Sequence, residues 1–216
     1  MLQNIKAVIF DMDGVLIDSE TICDRIWYRL ADEMGLPDID KAIVENRGCN
    51  EKMMAEKLTR RYGKNFDCPA FFKTFSDYFH EVEFSEGIPL MPEVKETLDY
   101  LRDKEYRLGL SSSTRSATVK RQLTACGIFD YFECGTFGDE VTHSKPDPEI
   151  YLKTAEKLGV KPCDCVGVED SPNGVKSVHG AGLVTVMIPD KIEPDEEIKK
   201  LCYRIAKPIS ILREIL

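Results

Sequence analysis

Short uninterrupted apolar runs punctuate the chain: Lys6-Ala-Val-Ile-Phe10, Arg107-Leu-Gly-Leu110, Cys165-Val-Gly-Val168 and Leu183-Val-Thr-Val-Met-Ile188. Runs of strand length without polar alternation predict strands covered on both faces, as in a parallel sheet. Between them the apolar residues fall at helical spacing, at Val94, Leu98 and Leu101, at Val119, Leu123 and Cys126, and at Tyr151, Ala155 and Leu158. The ends of these stripes carry helix signals. Pro92 suits a first turn, Asp147-Pro148 reads as N-cap and first helical residue, Gly159 as a stop, and Ser171-Pro172 opens a helix that ends near Gly180 to Gly182. Strand, helix and strand in repeated order predict an α/β fold with a doubly wound parallel sheet.

From about Ser19 to Phe84 the pattern changes. No β-like run occurs there, and stripes such as Cys23, Ile26, Leu30, Met34 and Phe72, Phe75, Phe79 predict an all-helical insert after the first strand. The expected domains are an α/β core of residues 1–17 and 87–216 and a helical insert of residues 18–86. The joints, Ile17-Asp18-Ser19 and Phe84-Ser85-Glu86-Gly87, are short and polar, which suits movement of the insert against the core.

Composition narrows the class. With 216 residues, 43% apolar and 31% charged, the chain reads as globular, large enough for one main core and a smaller lobe. No stretch approaches the roughly 20 apolar residues of a membrane span. The N-terminus turns acidic at Asp11, where a secretory signal would stay apolar, so a cytoplasmic protein without membrane attachment is expected. Cys163 and Cys165 form a lone C-x-C without a matching metal-ligand pair, so reduced thiols are expected for the eight cysteines. Against 38 acidic residues stand 29 basic ones, a formal charge of −9, which disfavours nucleic acid as a partner. A small phosphorylated ligand remains compatible, because a metal ion and a few local cations can reverse the field within one pocket.

Ligands of open α/β sheets bind beyond the C-terminal ends of the strands. The residues there are Asp11-Met-Asp13-Gly14, the Ser111 to Thr114 run and Glu169-Asp170, with Lys145 in a loop ahead of a helix. Taken singly, each has an ordinary explanation: a turn, a polar strand end, an acidic helix start, a solvated lysine. Together they suit phosphoryl transfer. A carboxylate attacks an anionic phosphate monoester only when cations neutralise the approach and donors take up charge on the phosphoryl oxygens. Magnesium, which prefers oxygen ligands, fits Asp11, Asp170 and a backbone carbonyl. Lys145 and the Ser112 hydroxyl suit the remaining phosphate oxygens, with Ser111 or Ser113 as one-residue alternatives. Asp13 is placed to act as general acid and base, and Gly14 permits the turn that aims both aspartates.

In order and spacing, Asp11-Met-Asp-Gly-Val-Leu16, Ser111 to Thr114, Ser144-Lys-Pro-Asp-Pro148 and Val168-Glu-Asp-Ser171 resemble the four signature motifs of the haloacid dehalogenase superfamily. The helical insert resembles the small cap of its β-phosphoglucomutase-like members. The resemblance implies Asp11 as nucleophile and Asp13 as general acid/base that also lends its carbonyl to the metal. It further implies Ser112, Ser113 and Lys145 as phosphate ligands and Asp170 as metal ligand, with Glu169 beside it as a direct or water-mediated ligand. A second aspartate at Asp13 sets the chain apart from the dehalogenases. Cys23 and Glu51 stand where the similar mutases carry His and Arg, and an anion at position 51 would repel a second phosphate. The expected activity is therefore magnesium-dependent hydrolysis of a small phosphate monoester, such as a sugar phosphate, through an aspartyl-phosphate. A β-phosphoglucomutase-like sugar phosphomutase is the alternative. Selectivity is expected near Arg47-Gly-Cys-Asn-Glu51, and a monomer is expected. A phospho-accepting signalling domain also combines acids, Ser or Thr, and Lys, but their order here is wrong for it.

Overall fold

The four apolar runs form strands of one parallel sheet. The computed structural model describes residues 2–49 and 51–216. The chain runs β1 (Ala7–Phe10), α1 (Ser19–Met34), α2 (Ile39–Asn46), α3 (Glu51–Tyr62), α4 (Cys68–Ser85), α5 (Val94–Asp103), β2 (Arg107–Ser112), α6 (Ser116–Ala125), β3 (Cys134–Phe137), α7 (Glu149–Lys157), β4 (Cys165–Glu169), α8 (Pro172–Gly180), β5 (Val184–Met187), α9 (Glu196–Leu201), β6 (Arg204–Ile205) and α10 (Leu212–Ile215). It divides into two compact units, Met1–Asp18 with Pro89–Leu216, and Ser19–Ile88. Among the described residues no helix is long and apolar enough to cross a membrane.

The larger unit holds a six-stranded sheet in the order β3-β2-β1-β4-β5-β6, with every neighbouring pair parallel. Ala7–Phe10 of β1 are fully buried, because helices cover both faces of a central parallel strand. The chain leaves β1 toward β2 on one side and returns to β4 on the other, so the β1–β4 border is the topological switch point where α/β sheets bind ligands. In register Phe10 pairs with Leu110 and Val168, which aligns the C-terminal ends of β1, β2 and β4.

Strands β3 and β6 carry no apolar run. Only Thr136 of Cys134-Gly-Thr-Phe137 is buried, and β6 is the two-residue Arg204-Ile205. Both are edge strands, which pair on one side only and so lack the continuous apolar signature of the centre.

Ile150, Tyr151, Ala155 and Leu158 at and just beyond α7 are buried with Ala7 and Ile9 of β1 and Cys165 of β4. Burying each large apolar side chain contributes about 1.5–3 kcal/mol. Two helix starts differ from the expected ones. Helix α7 begins at Glu149, yet the Asp147 side chain still accepts from the Glu149 N–H at 2.9 Å, so it caps from one residue further out. Pro92 lies ahead of α5, which starts at Val94 after Glu93 in a left-handed conformation (φ 61°). Ser171 caps α8 by accepting from the Gly174 N–H, with Pro172 in the first turn.

The smaller unit is all helical, α1 to α4. Its centre is aromatic: Phe71 lies 5.0 Å from Trp27 and 5.6 Å from Phe66 between ring centroids, and Phe75 lies 6.0 Å from Trp27. The buried face of α1 is Ile22, Ile26, Trp27 and Leu30, and Met34 is exposed, so this face is rotated from the expected stripe. Trp27 is buried on this face, while Cys23 is only half-buried. Arg47 pairs with Asp24 at 2.8 Å inside this unit. Asn50, in the stretch expected to confer selectivity, lies outside the described residues.

Candidate active site

The end of β1 turns sharply. The Asp11 N–H donates to the Val168 carbonyl at 2.9 Å, which keeps the backbone on the β4 register, and the Leu16 N–H donates back to Met12 at 2.9 Å. Gly14 takes φ +75°, and a Cβ there would stand 2.5 Å from Asp170 Oδ2. Only glycine meets both demands, so Asp170 lies directly against the turn that carries Asp11 and Asp13.

Lys145 arrives from the loop before α7. Its Nζ donates to Asp11 Oδ1 at 2.5 Å, to Glu169 Oε1 at 2.6 Å and to the Ser111 carbonyl at 2.9 Å. The three donors of the ammonium meet three acceptors from the ends of three strands. The loop is braced by Glu149, whose carboxylate accepts from the Thr142 and His143 N–H groups and from Lys153 Nζ. His143, Asp147 and Glu149 thus form a polar cluster that holds the loop's shape.

These hydrogen bonds hold the Glu149 carboxyl down at about 2 from its ordinary 4.5, Lys153 first and then the two backbone donors. A depressed folded-state value stabilises the protein above the unfolded value, and that contribution is lost as pH falls toward the folded one. Glu149→Gln is therefore expected to melt below the unsubstituted protein at neutral pH. The gap should close between about pH 4.5 and 2 in thermal denaturation.

The serine run separates by role. Ser111 Oγ is buried and shares a hydrogen bond with Thr154 at 2.8 Å, which commits it to α7. Ser112 Oγ accepts from the Thr114 N–H at 3.1 Å at the strand end, Ser113 is exposed, and Thr114 Oγ1 donates to Asp13 Oδ2 at 3.1 Å. Carboxylate oxygens of Asp11, Glu169 and Asp170 lie within 4.8 Å of one another.

Comparison with known proteins decides the family. Residues 8–188 match the family model of haloacid dehalogenase-like hydrolases. The chain belongs to the haloacid dehalogenase-like hydrolases. Among its relatives, a phosphorylated carbohydrates phosphatase of Thermotoga maritima is 34% identical over 187 residues, 82% of each chain. A beta-phosphoglucomutase of Bacillus subtilis is 28% identical over 188 residues, 84% of this chain and 82% of its own. The solved structure of CbbY from Rhodobacter sphaeroides shares the fold, with a TM-score of 0.75 over 96% of each chain at 22% identity.

The charge balance of this hydrolase's pocket calls for a cation. Asp11 and Glu169, both buried, share the one ammonium of Lys145, Asp170 adds a third carboxylate within 4.8 Å of theirs, and Asp13 is near enough to act on Asp11. Burial first, then the nearby Glu169 and Asp13 charges, push the Asp11 carboxyl up to about 8 against the opposing pull of Lys145. Burial alone would lower Lys145, but Asp11 and Glu169 outweigh that and raise it above its ordinary value. An all-oxygen donor set with excess negative charge suits a hard divalent ion, so the residues fit magnesium. Glu169 differs from its neighbours: Oε1 already accepts from Lys145 and Tyr151, and Oε2 from the Asp170 N–H and Ser171 Oγ.

Helical periodicity had marked Tyr151 only as core. Thr114 was marked only as the last member of the Ser111 to Thr114 run, without a role, and Gly174 carried no signal, since a glycine in a helix start is common.

Proposed function

We propose that this hydrolase is a magnesium-dependent phosphatase of small phosphorylated carbohydrates, working through an aspartyl-phosphate at Asp11. Its membership in the superfamily and its likeness to a phosphorylated carbohydrates phosphatase support a phosphatase. The observation that carries the reading is Lys145 Nζ, 2.5 Å from Asp11 and 2.6 Å from Glu169, beside Asp170 at the sheet's switch point.

In this reading Asp11 Oδ attacks phosphorus, and the ester oxygen leaves with a proton from Asp13. Asp13 then takes a proton from the water that attacks the phosphoryl group and frees Asp11. Thr114 Oγ1, donating to Asp13 Oδ2, keeps that side chain aimed. Ser112, Ser113 and Lys145 bind phosphoryl oxygens. Asp11, the Asp13 carbonyl and Asp170 hold magnesium, with Glu169 acting through its hydrogen bonds. Bound there, magnesium supplies positive charge that offsets the dianion and the carboxylates. Asp13→Ala is expected to lower kcat by about 10²- to 10⁴-fold, read as phosphate release under saturating substrate.

The test is phosphate release over a panel of phosphorylated sugars and sugar alcohols, with magnesium and with excess chelator. Release that needs magnesium is the expected result, and no release from any member would sink the reading. The relative named beta-phosphoglucomutase favours one alternative, transfer within a sugar phosphate. Isomerised sugar phosphate with little free phosphate, given a bisphosphate primer, would establish that alternative instead.

A further inference from the structure

Tyr151 sits in the hydrophobic cluster beneath the sheet with no exposed surface, in company with Ala7, Ile9, Ala155 and Leu158. A phenol buried among apolar residues needs a partner for its hydroxyl, and a backbone carbonyl would serve. Tyr151 Oη instead donates to Glu169 Oε1 at 2.8 Å. That oxygen is the same atom that accepts from Lys145 Nζ at 2.6 Å. The face of the Tyr151 ring also lies 5.2 Å from Lys145 Nζ, within cation–π range. One side chain therefore touches both members of the buried pair.

Glu169 is held on its other side as well. Oε2 accepts from the Asp170 N–H and Ser171 Oγ, each at 3.2 Å. A Cβ on Gly174, in the first turn of α8, would collide with the Glu169 carboxyl, so the bare glycine leaves the space in which that carboxylate sits. The Glu169 carboxylate is thus fixed by a hydroxyl, a backbone amide, a phenol and a helix start.

We propose that Tyr151 is a positioning residue for phosphoryl transfer: it fixes Glu169 Oε1, so that Lys145 keeps its place while its contact to Asp11 is exchanged for a phosphoryl oxygen. The inference rests on the phosphatase reading of the site. Lys145 has three hydrogens and three acceptors, so it gains a phosphate contact only by giving one up. Asp11 is the acceptor that surrenders charge when it becomes phosphorylated. Lys145 then needs an immobile second carboxylate, or it follows the departing charge. By sharing Oε1, the Tyr151 hydroxyl holds that carboxylate in one rotamer. It also prevents Glu169 from drawing Lys145 wholly to itself.

The experiment compares Tyr151→Phe with Ile150→Val, a packing change at the neighbouring position in the same cluster, by steady-state phosphate release and by thermal denaturation. Losing a hydrogen bond to a charged group predicts about a tenfold fall in kcat for Tyr151→Phe with KM changed less than about twofold. Ile150→Val should lower Tm and keep kcat. In a Glu169→Gln background, adding Tyr151→Phe should cost less than about twofold, because the phenol acts through Glu169. Retention of kcat by Tyr151→Phe overturns the inference. So does an equal fall in kcat for Ile150→Val, or a further tenfold loss in the Glu169→Gln background. Every comparison presupposes phosphate release by the unsubstituted enzyme, so a failure of the phosphatase reading shows there and not in the ratios between variants.

Discussion

Asp11→Asn is expected to fold normally and release phosphate more than about 10⁵-fold more slowly, because an amide offers no anionic oxygen to phosphorus and the other groups act only around that attack. Asn keeps the shape of the side chain, and Lys145 keeps Glu169 as its ionic partner. Circular dichroism should match that of the unsubstituted enzyme, while a phosphate-release assay falls to background. Substantial residual release would mean that another group attacks.

Lys145→Met should have the largest effect on stability. It removes the ammonium that satisfies Asp11, Glu169 and the Ser111 carbonyl together, and it leaves Glu169, with no exposed surface, beside the buried Asp11. Removing one partner of a buried ion pair costs about 3–5 kcal/mol, since the remaining charge stays out of water. Lys145 is only 8% exposed, so solvent screens little of this. Urea denaturation should show the loss as a lower midpoint with an unchanged slope. A midpoint equal to that of the unsubstituted protein would mean that the carboxylates are compensated elsewhere. Activity should fall as well, because Lys145 is assigned both to the phosphate and to the charge of Asp11.

Legibility in the sequence followed the strength of the physical signal. The central strands β1, β2, β4 and β5 were readable because burial on both faces demands continuous apolar runs, such as Ala7–Phe10. The edge strands β3 and β6 were not, since one-sided pairing tolerates Gly135 or Arg204. Asp11, Ser112, Lys145, Glu169 and Asp170 could be proposed from their places in and after the strands, and the structure sets Asp11, Lys145 and Glu169 in hydrogen-bonded contact. Which serine faces the site could not be read, because a three-serine run looks the same in any register. Only the Ser111–Thr154 hydrogen bond removes Ser111 from consideration. The supports of the site were hidden for a different reason. Tyr151 falls on the apolar stripe of α7, and a phenol at a core position gives no sign of where its hydroxyl points until β4 is placed beside it. Gly174 reads as an indifferent glycine until the Glu169 carboxylate fills the space above it.

Asp11 chemistry is defined by one fact, the identity of the atom that receives the phosphoryl group. Acid quench during turnover of a phosphorylated sugar with magnesium, then borohydride reduction and peptide mass spectrometry, reads that atom. The expected product is homoserine at position 11, formed from a trapped aspartyl-phosphate and absent from Asp11→Asn. Reduction at another carboxylate, or steady turnover by Asp11→Asn without any trapped acyl phosphate, would contradict it.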